Sequence, residues 1–290
     1  MKKLDRLGWA AEFSFTAFGV CMGVRVSSEE MLDSVYRRLP FGWIAHSSSG
    51  VERLYSIIEG GSTGRSSMRR FSLLYADVRQ IARALRLQDI YEIMESDMES
   101  YLAQQARRKL FVHAGAVSWN GRVIVIPGPS RSGKTTLVKA LLEAGAGYHS
   151  DEFAVFDRNG NIHPFPRLLS VREKGSRTAM RVHPENLGSR TNTEPLPLGI
   201  IILSRYMPGA LWRPRALTPG RGALALLANA PAARKQPARA LAILGSAVSQ
   251  ARTFLGLRGE AAGTATSVLS LLESLESGRI AAQPSVRGAV

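Results

Sequence analysis

Apolar positions recur every second residue in some stretches of this chain and every third or fourth in others, and the switches between the two periods mark out its elements. Residues 13–26, FSFTAFGVCMGVRV, are rich in aromatic and β-branched side chains and broken by Gly19 and Gly23, which predicts paired or bulged strands. SSEEMLDSVYRRLP opens with a Ser-Ser-Glu-Glu capping signal, sets Met31, Leu32, Val35 and Leu39 on a helical stripe and stops at Pro40, predicting a short helix. VERLYSII and RRFSLLYADV alternate as strands do, with the loop EGGSTGRSS between them. Together these form a small α+β lobe. LQDIYEIMESDMESYLAQQARR carries Ile90, Ile93, Met94, Met98, Tyr101 and Leu102 near helical spacing with no Gly or Pro, predicting a long helix that leads into a second lobe.

In that second lobe LFVHAGAVSW and RVIVIP flank Asn-Gly, the strongest short hairpin dipeptide, so two strands are expected there. KTTLVKALLEAG continues as a helix ended by Gly145 or Gly147 in a left-handed cap. EFAVFD, DRNGNI and RLLSVR read as strand, turn and strand. Beyond a polar segment at residues 174–195, LGIIILSRY is a continuous apolar run of the buried-strand type, with ALWRPRALT expected as its neighbour. The C-terminal third alternates helix, the short strand TFLGL, and helix, and AAQPSVRGAV is expected to be disordered. The organisation predicted is an N-terminal α+β lobe over 1–107, an α/β domain over 108–280 and a tail at 281–290.

Composition narrows the class. With 45% hydrophobic and 21% charged residues the chain is expected to fold. Its longest apolar stretches are too short or too interrupted to cross a bilayer, and MKKLDRLGWAAEF lacks the apolar core of a signal peptide. The single cysteine, Cys21, excludes an internal disulfide framework and a cysteine-rich zinc site. The expectation is a soluble, cytoplasmic protein with no membrane partner. Lys and Arg number 38 against 23 Asp and Glu, a net charge of +15 that favours an acidic or polyanionic partner. The charges are mostly scattered arginines, dense only in GRSSMRR and QQARRKL, and no nucleic-acid-binding motif is legible. A nucleic-acid partner is therefore not expected, and a solvated basic face accounts for the same counts.

The chemistry lies in GPSRSGKTT, residues 128–136, set between a predicted strand and a predicted helix. Gly128, Gly133, Lys134 and Thr135 fit G-x-x-x-x-G-K-[ST], the loop whose backbone amides surround phosphate oxygens at the positive end of a helix. Pro129, Ser130, Arg131, Ser132 and Thr136 complete the candidate nucleotide-binding segment, Lys134 reaches the terminal phosphates, and Thr135 can ligate Mg²⁺. Asp151 and Glu152 follow one helix and one turn later in GYHSDEFAVF, on a strand expected beside the phosphate-loop strand. GYHS stands where a motor-type ATPase has four apolar residues. A carboxylate here can hold a metal, accept a hydroxyl proton, or both, and SDE also reads as a plain turn or cap. His113 ends the strand before the hairpin, where a satisfied core histidine is the competing reading. Arg172 and Lys174 are further candidates for lining the site.

The succession VHAGAVSWNGRVIVIPGPSRSGKTTL, YHSDEFAVFD and HPFPRLLSVRE resembles the HPr serine kinase/phosphorylase family, in particular its HPr-kinase-related branch found among bacterial peptide-modification clusters. The match covers residues 108–175, with weaker agreement through PLPLGIIILSRY. The resemblance implies a phosphoenolpyruvate-carboxykinase-type P-loop fold with a mixed sheet and flanking helices, ATP and Mg²⁺ as cofactors, and a homo-oligomer. It places the family's histidine on His113 and its paired acids on Asp151 and Glu152. By that resemblance Asp151 deprotonates the acceptor hydroxyl, and Thr135 and Glu152 help to hold Mg²⁺. The sequence departs from the family in having Glu as the second acid and in lacking the signature associated with phosphorolysis, so phosphate-driven dephosphorylation and HPr as substrate are not expected. The expected activity is transfer of the γ-phosphoryl group of ATP to a Ser or Thr hydroxyl of a protein or peptide, with an acidic one suiting the basic surface. A small-molecule hydroxyl kinase and a nucleotide-binding regulatory module without transferase activity are the alternatives.

Overall fold

The computed structural model describes residues 4–46, 50–60, 71–129, 132–171 and 180–278. The loop tip at 61–70, Ser130 and Arg131 of the glycine loop, Arg172 and Lys174, and the tail from 279 lie outside the described residues. The fold is mixed α/β and divides into two compact units, Met1–Arg108 and Lys109–Val290.

In the first unit, β1 (Ala11–Ala17) and β2 (Val20–Val26) form an antiparallel hairpin whose turn residues Phe18 and Gly19 both have positive φ, the geometry that matches strand twist in a two-residue turn. The short helix follows as a 3₁₀ turn running into α1 (Leu32–Tyr36). The six-stranded sheet has the order β3-β1-β2-β4-β5-β6, with β3 (Ile44–His46), β4 (Arg53–Ile58), β5 (Ser72–Ala76) and β6 (Arg79–Ala84). The long helix α2 (Leu87–Gln105) buries Ile90, Met94, Met98 and Leu102 and packs on β5 and β6. The pattern of the sequence does not show β3 and β6. They are the two edges of the sheet, β3 is exposed throughout and β6 buries only Ala82, so neither carries a period-two signal.

The second unit is built on an eight-stranded mixed sheet, β11-β10-β7-β8-β14-β16-β15, with β9 also paired to β7. β7 (Leu110–Trp119) and β8 (Arg122–Pro127) form the predicted hairpin through Asn120 and Gly121, both at positive φ. β8 lies parallel to β14 (Leu196–Tyr206), and β14 parallel to β16 (Arg252–Arg258). Alternation along β8 sends Val123 and Val125 to one face, against α4 (Pro219–Leu227) and α5 (Pro237–Ser249), and Ile124 and Ile126 to the other, against α3 (Lys134–Glu143) and α6 (Ala261–Glu276). Both faces are covered, which is why β8 and the middle of β14 read as unbroken apolar runs. α3 ends with Gly145 at φ 96°, one of the two predicted caps.

Two expectations need correction. The segment expected to neighbour β14 forms β15 (Arg215–Leu217), which pairs with β16 at the sheet edge instead. The polar tetrapeptide GYHS is itself a strand, β9 (Gly147–Ser150), with Tyr148, His149 and Ser150 buried. Its polar side chains hide it from a hydrophobicity pattern, because their burial depends on partners distant in sequence. The strand after it, β10 (Phe153–Phe156), hairpins with β11 (Asn161–His163), and β12 (Leu169–Val171) pairs with β13 (Met180–Val182). Among the described residues, no helix is long and apolar enough to cross a membrane.

The packing of α3 onto the sheet depends on Gly115 in β7, where a Cβ would come within 2.5 Å of Val138 Cγ2. Gly115→Ala is expected to destabilise the protein by about 1–3 kcal/mol, read as a lower thermal midpoint. Combining it with Val138→Ala should recover much of the loss, since the clashing methyl is then gone. An unchanged midpoint in the single variant would contradict this close approach.

Candidate nucleotide-binding and carboxylate site

The site begins where β8 runs out. Gly128 donates its N–H to the His113 carbonyl at 3.3 Å, tying the start of the glycine loop to β7. Gly133 sits at φ 83°, a left-handed conformation that glycine takes without a Cβ penalty, and turns the chain into the first residue of α3. Lys134 folds back over the loop, donating from Nζ to the carbonyls of Gly128 at 2.7 Å and Pro129 at 3.0 Å. Burial lowers the pKa of this amine, and the nearby charges of Glu152 and Asp151 oppose that shift. The lysine is therefore a largely buried cation held on two loop carbonyls, in the electrostatic field of both candidate carboxylates.

The acid pair is placed by an interruption in pairing. β9 and β10 run antiparallel along the same strand, β7, with Ser150 opposite Ala116 and Phe153 opposite His113. Asp151 and Glu152 occupy the break between them. Ser150 Oγ accepts the N–H groups of Glu152 at 3.2 Å and Phe153 at 3.1 Å, and Ala114 donates to the Glu152 carbonyl at 3.1 Å, so three hydrogen bonds hold the kink. The strand carrying the acids does not neighbour β8 as expected: β7 stands between them. Contact is made over the top of β7, because α3 starts above it and lies close to it at Gly115.

The two carboxylates have different surroundings. Asp151 is 6% exposed. Its Oδ2 lies 3.4 Å from the Thr135 hydroxyl, which donates to it, and its Oδ1 accepts from the Tyr148 hydroxyl at 3.1 Å. Burial raises the Asp151 pKa, while the Tyr148 hydroxyl, the Arg167 charge and the Ser170 backbone N–H lower it and the Glu152 charge raises it further. Glu152 has a more open side chain, 38% exposed, with its Oε1 3.4 Å from His113 Nδ1. The hydrogen bond from His113 is the largest influence on Glu152 and, with the charges of Lys134 and Arg167, holds its pKa below the usual carboxylate value. The His113 ring also lies against Phe153, centroids 4.3 Å apart, which fixes its orientation.

Of the candidates, Gly128, Lys134 and Thr135 lie with Asp151, Glu152 and His113 in one cluster, joined by the contacts above. Ser132 is in the same turn, its N–H bonded to the Pro129 carbonyl at 3.2 Å. Thr136 follows in the first turn of α3. The pattern reading missed Tyr148 and Arg167. Tyr148 is fully buried, which pushes its hydroxyl pKa well up and keeps it a donor to Asp151. Arg167, in the PFPRLL stretch between β11 and β12, brings its charge to Asp151, Glu152 and Tyr148. The available signal was their presence in the YHSDE and HPFPRLLS segments, but nothing local shows that they converge. His149, between Tyr148 and the acids, faces elsewhere: its Nδ1 meets Asn192 Nδ2 at 2.9 Å, and burial lowers its pKa to about 4, so it stays neutral.

No family model matches the sequence, and no curated protein does. Among solved structures, the HPr(Ser) kinase/phosphatase from Coxiella burnetii is similar at 14% identity with a TM-score of 0.34, over 58% of this chain and 92% of that one. The family resemblance therefore rests on the succession of motifs.

The Tyr148 contact gives a test of the local electrostatics. Tyr148→Phe removes a hydrogen bond that favours ionised Asp151, so the carboxyl should titrate at a higher pH than in the unaltered protein. Its charged form is then lost earlier as pH falls. Carboxyl-detected NMR titration reads this directly, and a shift toward lower pH would contradict the assignment.

Proposed function

We propose that this protein is an ATP- and Mg²⁺-dependent kinase that transfers the γ-phosphoryl group to a Ser or Thr hydroxyl of a protein or peptide. The observation that carries this reading is the convergence of a glycine-loop lysine, a helix-start hydroxyl and two carboxylates over β7. An anion-binding loop alone has no use for the acid pair; phosphoryl transfer requires both.

The residues present fit a magnesium–nucleotide complex. Among the described residues no group of three or more His, Cys, Asp or Glu side chains could hold a metal by itself. Thr135 and Asp151 instead supply hard oxygen donors close together, which suits Mg²⁺, an ion that takes one or two protein oxygens together with substrate phosphates and water. When bound, the ion would neutralise phosphate charge. Lys134 and the loop amides bind and orient the phosphates.

The surroundings of the acids suggest a division of labour opposite to the one the resemblance implies. Asp151 is buried and already directed at Thr135, which suits a metal ligand. Glu152 is the accessible carboxylate, and His113 fixes its orientation. In this reading Glu152 accepts the proton of the acceptor hydroxyl as its oxygen bonds to the γ-phosphorus, the bond to the bridging oxygen breaks, and ADP leaves. The net charge of +15 favours an acidic acceptor segment.

Glu152→Gln should lower the transfer rate by about 10²–10⁴-fold while leaving Mg-ATP affinity within roughly threefold. Asp151→Asn should chiefly raise the Mg²⁺ concentration required, and Lys134→Ala should weaken Mg-ATP binding. Transfer of labelled γ-phosphate to a panel of acidic Ser/Thr peptides, with free serine as control, reads all three. Full transfer by both carboxylate variants would remove the kinase assignment; loss confined to turnover in Asp151→Asn would reverse the division of roles.

A further inference from the structure

On the side of the glycine loop away from the acid pair, a built and partly apolar surface remains without a role. Arg258, the last residue of β16, is 4% exposed, donates from Nη2 to the Gly133 carbonyl at 3.1 Å, and lies 5.3 Å from the Tyr206 ring centroid. Tyr206 ends the neighbouring strand, β14, opposite Arg258, and its hydroxyl donates to Glu260 at 2.9 Å. The chain then turns through residues 207–211. Met207 donates its N–H to the Arg258 carbonyl at 2.9 Å, Ala210 donates to Met207 at 3.1 Å, and the Ala210 carbonyl sits directly over Gly259, where a Cβ would collide with it. Although this turn is pinned by backbone bonds, it holds Tyr206, Met207 and Leu211 between 45% and 71% exposed. Large apolar side chains held rigidly in water at the carboxyl ends of parallel strands mark a place where a ligand is covered.

The geometry points to the base of the nucleotide as that ligand: we propose that the turn at Tyr206–Leu211 receives the nucleobase, with Arg258 bridging between it and the phosphate loop. This deepens the kinase reading and rests on it. The acid pair lies two strands from β8 on one side, past β7, and Arg258 lies two strands from β8 on the other, past β14. At about 4.8 Å per strand step the strand positions that carry them are roughly 19 Å apart, with the glycine loop between them and the Arg258 side chain reaching back to it. The acids and Lys134 mark the end where the terminal phosphoryl group reacts, so the rest of the nucleotide extends from the loop toward β16. An acceptor seated on this turn would be a molecule's width away from Glu152, whereas a flat aromatic base is placed to stack on Tyr206 and cover Met207 and Leu211. The Arg258 guanidinium, held at the Gly133 carbonyl, is a cation beside the polyphosphate path.

Inorganic tripolyphosphate separates this inference from the one beneath it, because it engages the phosphate loop and has no base. In the 290-residue chain, the double variant Met207→Ser/Leu211→Ser changes only exposed side chains and should melt as the unaltered protein does. Its Kd for Mg-ATP should rise about tenfold, while its Kd for Mg-tripolyphosphate should stay within about twofold. Equal weakening of both ligands, or of neither, overturns the base site while leaving the phosphate loop in place. An unchanged Mg-ATP affinity with a raised KM for the peptide acceptor would assign the turn to the acceptor and overturn it too. Failure of the unaltered protein to bind tripolyphosphate would remove the phosphate-loop reading, and the base site with it.

Discussion

The candidate site depends on one close approach, that of helix α3 to strand β7 at Gly115. The phosphate-loop lysine and threonine begin α3 after β8, while the acid pair belongs to the chain that runs along the far side of β7. A strand step of about 4.8 Å on each side of β7 would keep the two apart if the helix stood off the sheet. Because residue 115 has no side chain, Val138 can press onto the strand, and the start of the helix comes within hydrogen-bond range of Asp151. The 3.4 Å contact between Thr135 and Asp151 is a consequence of that packing, and so is the field of both carboxylates at Lys134.

The same arrangement gives two neighbouring acids separate chemical characters. A regular strand would send residues 151 and 152 to opposite faces. The break between β9 and β10 lets both contribute to one site while differing in exposure and partners. Asp151 turns inward to Tyr148 and Thr135, where burial resists its charge; Glu152 turns outward to His113, whose hydrogen bond favours its charge. Opposed shifts in adjacent titratable groups are a common basis for giving the two different protonation roles.

Around this centre the second unit places its conformationally permissive residues at points of close approach. Gly133 turns the loop into the helix at positive φ, and Gly259 lets the Ala210 carbonyl lie against the end of β16. The loop thus has a defined polar side toward β7 and a defined, partly apolar side toward β14 and β16, and a ligand crossing it would meet different chemistry at its two ends.

Much of this was legible in the order of residues. The glycine loop, the helix after it, the Asn-Gly hairpin, the buried run of β14 and the acid pair all follow from short-range rules, since turn conformation, helix capping and burial on both faces each leave a local mark. The strands β3, β6 and β9 left none: two are exposed edges, and the third buries Tyr148, His149 and Ser150, polar side chains that are enclosed by its pairing to β7 and, at His149, by a contact with Asn192. Strand order was equally hidden, so the acid strand was expected beside β8 and β15 beside β14, whereas pairing put β7 and β16 in those places. The sequence by itself determined which groups were available and the local shape of the loop that carries the lysine. Only the tertiary structure decided that Arg167 and Tyr148 join the carboxylates and that Glu152 is the open one, because convergence and burial are properties of packing across the sheet.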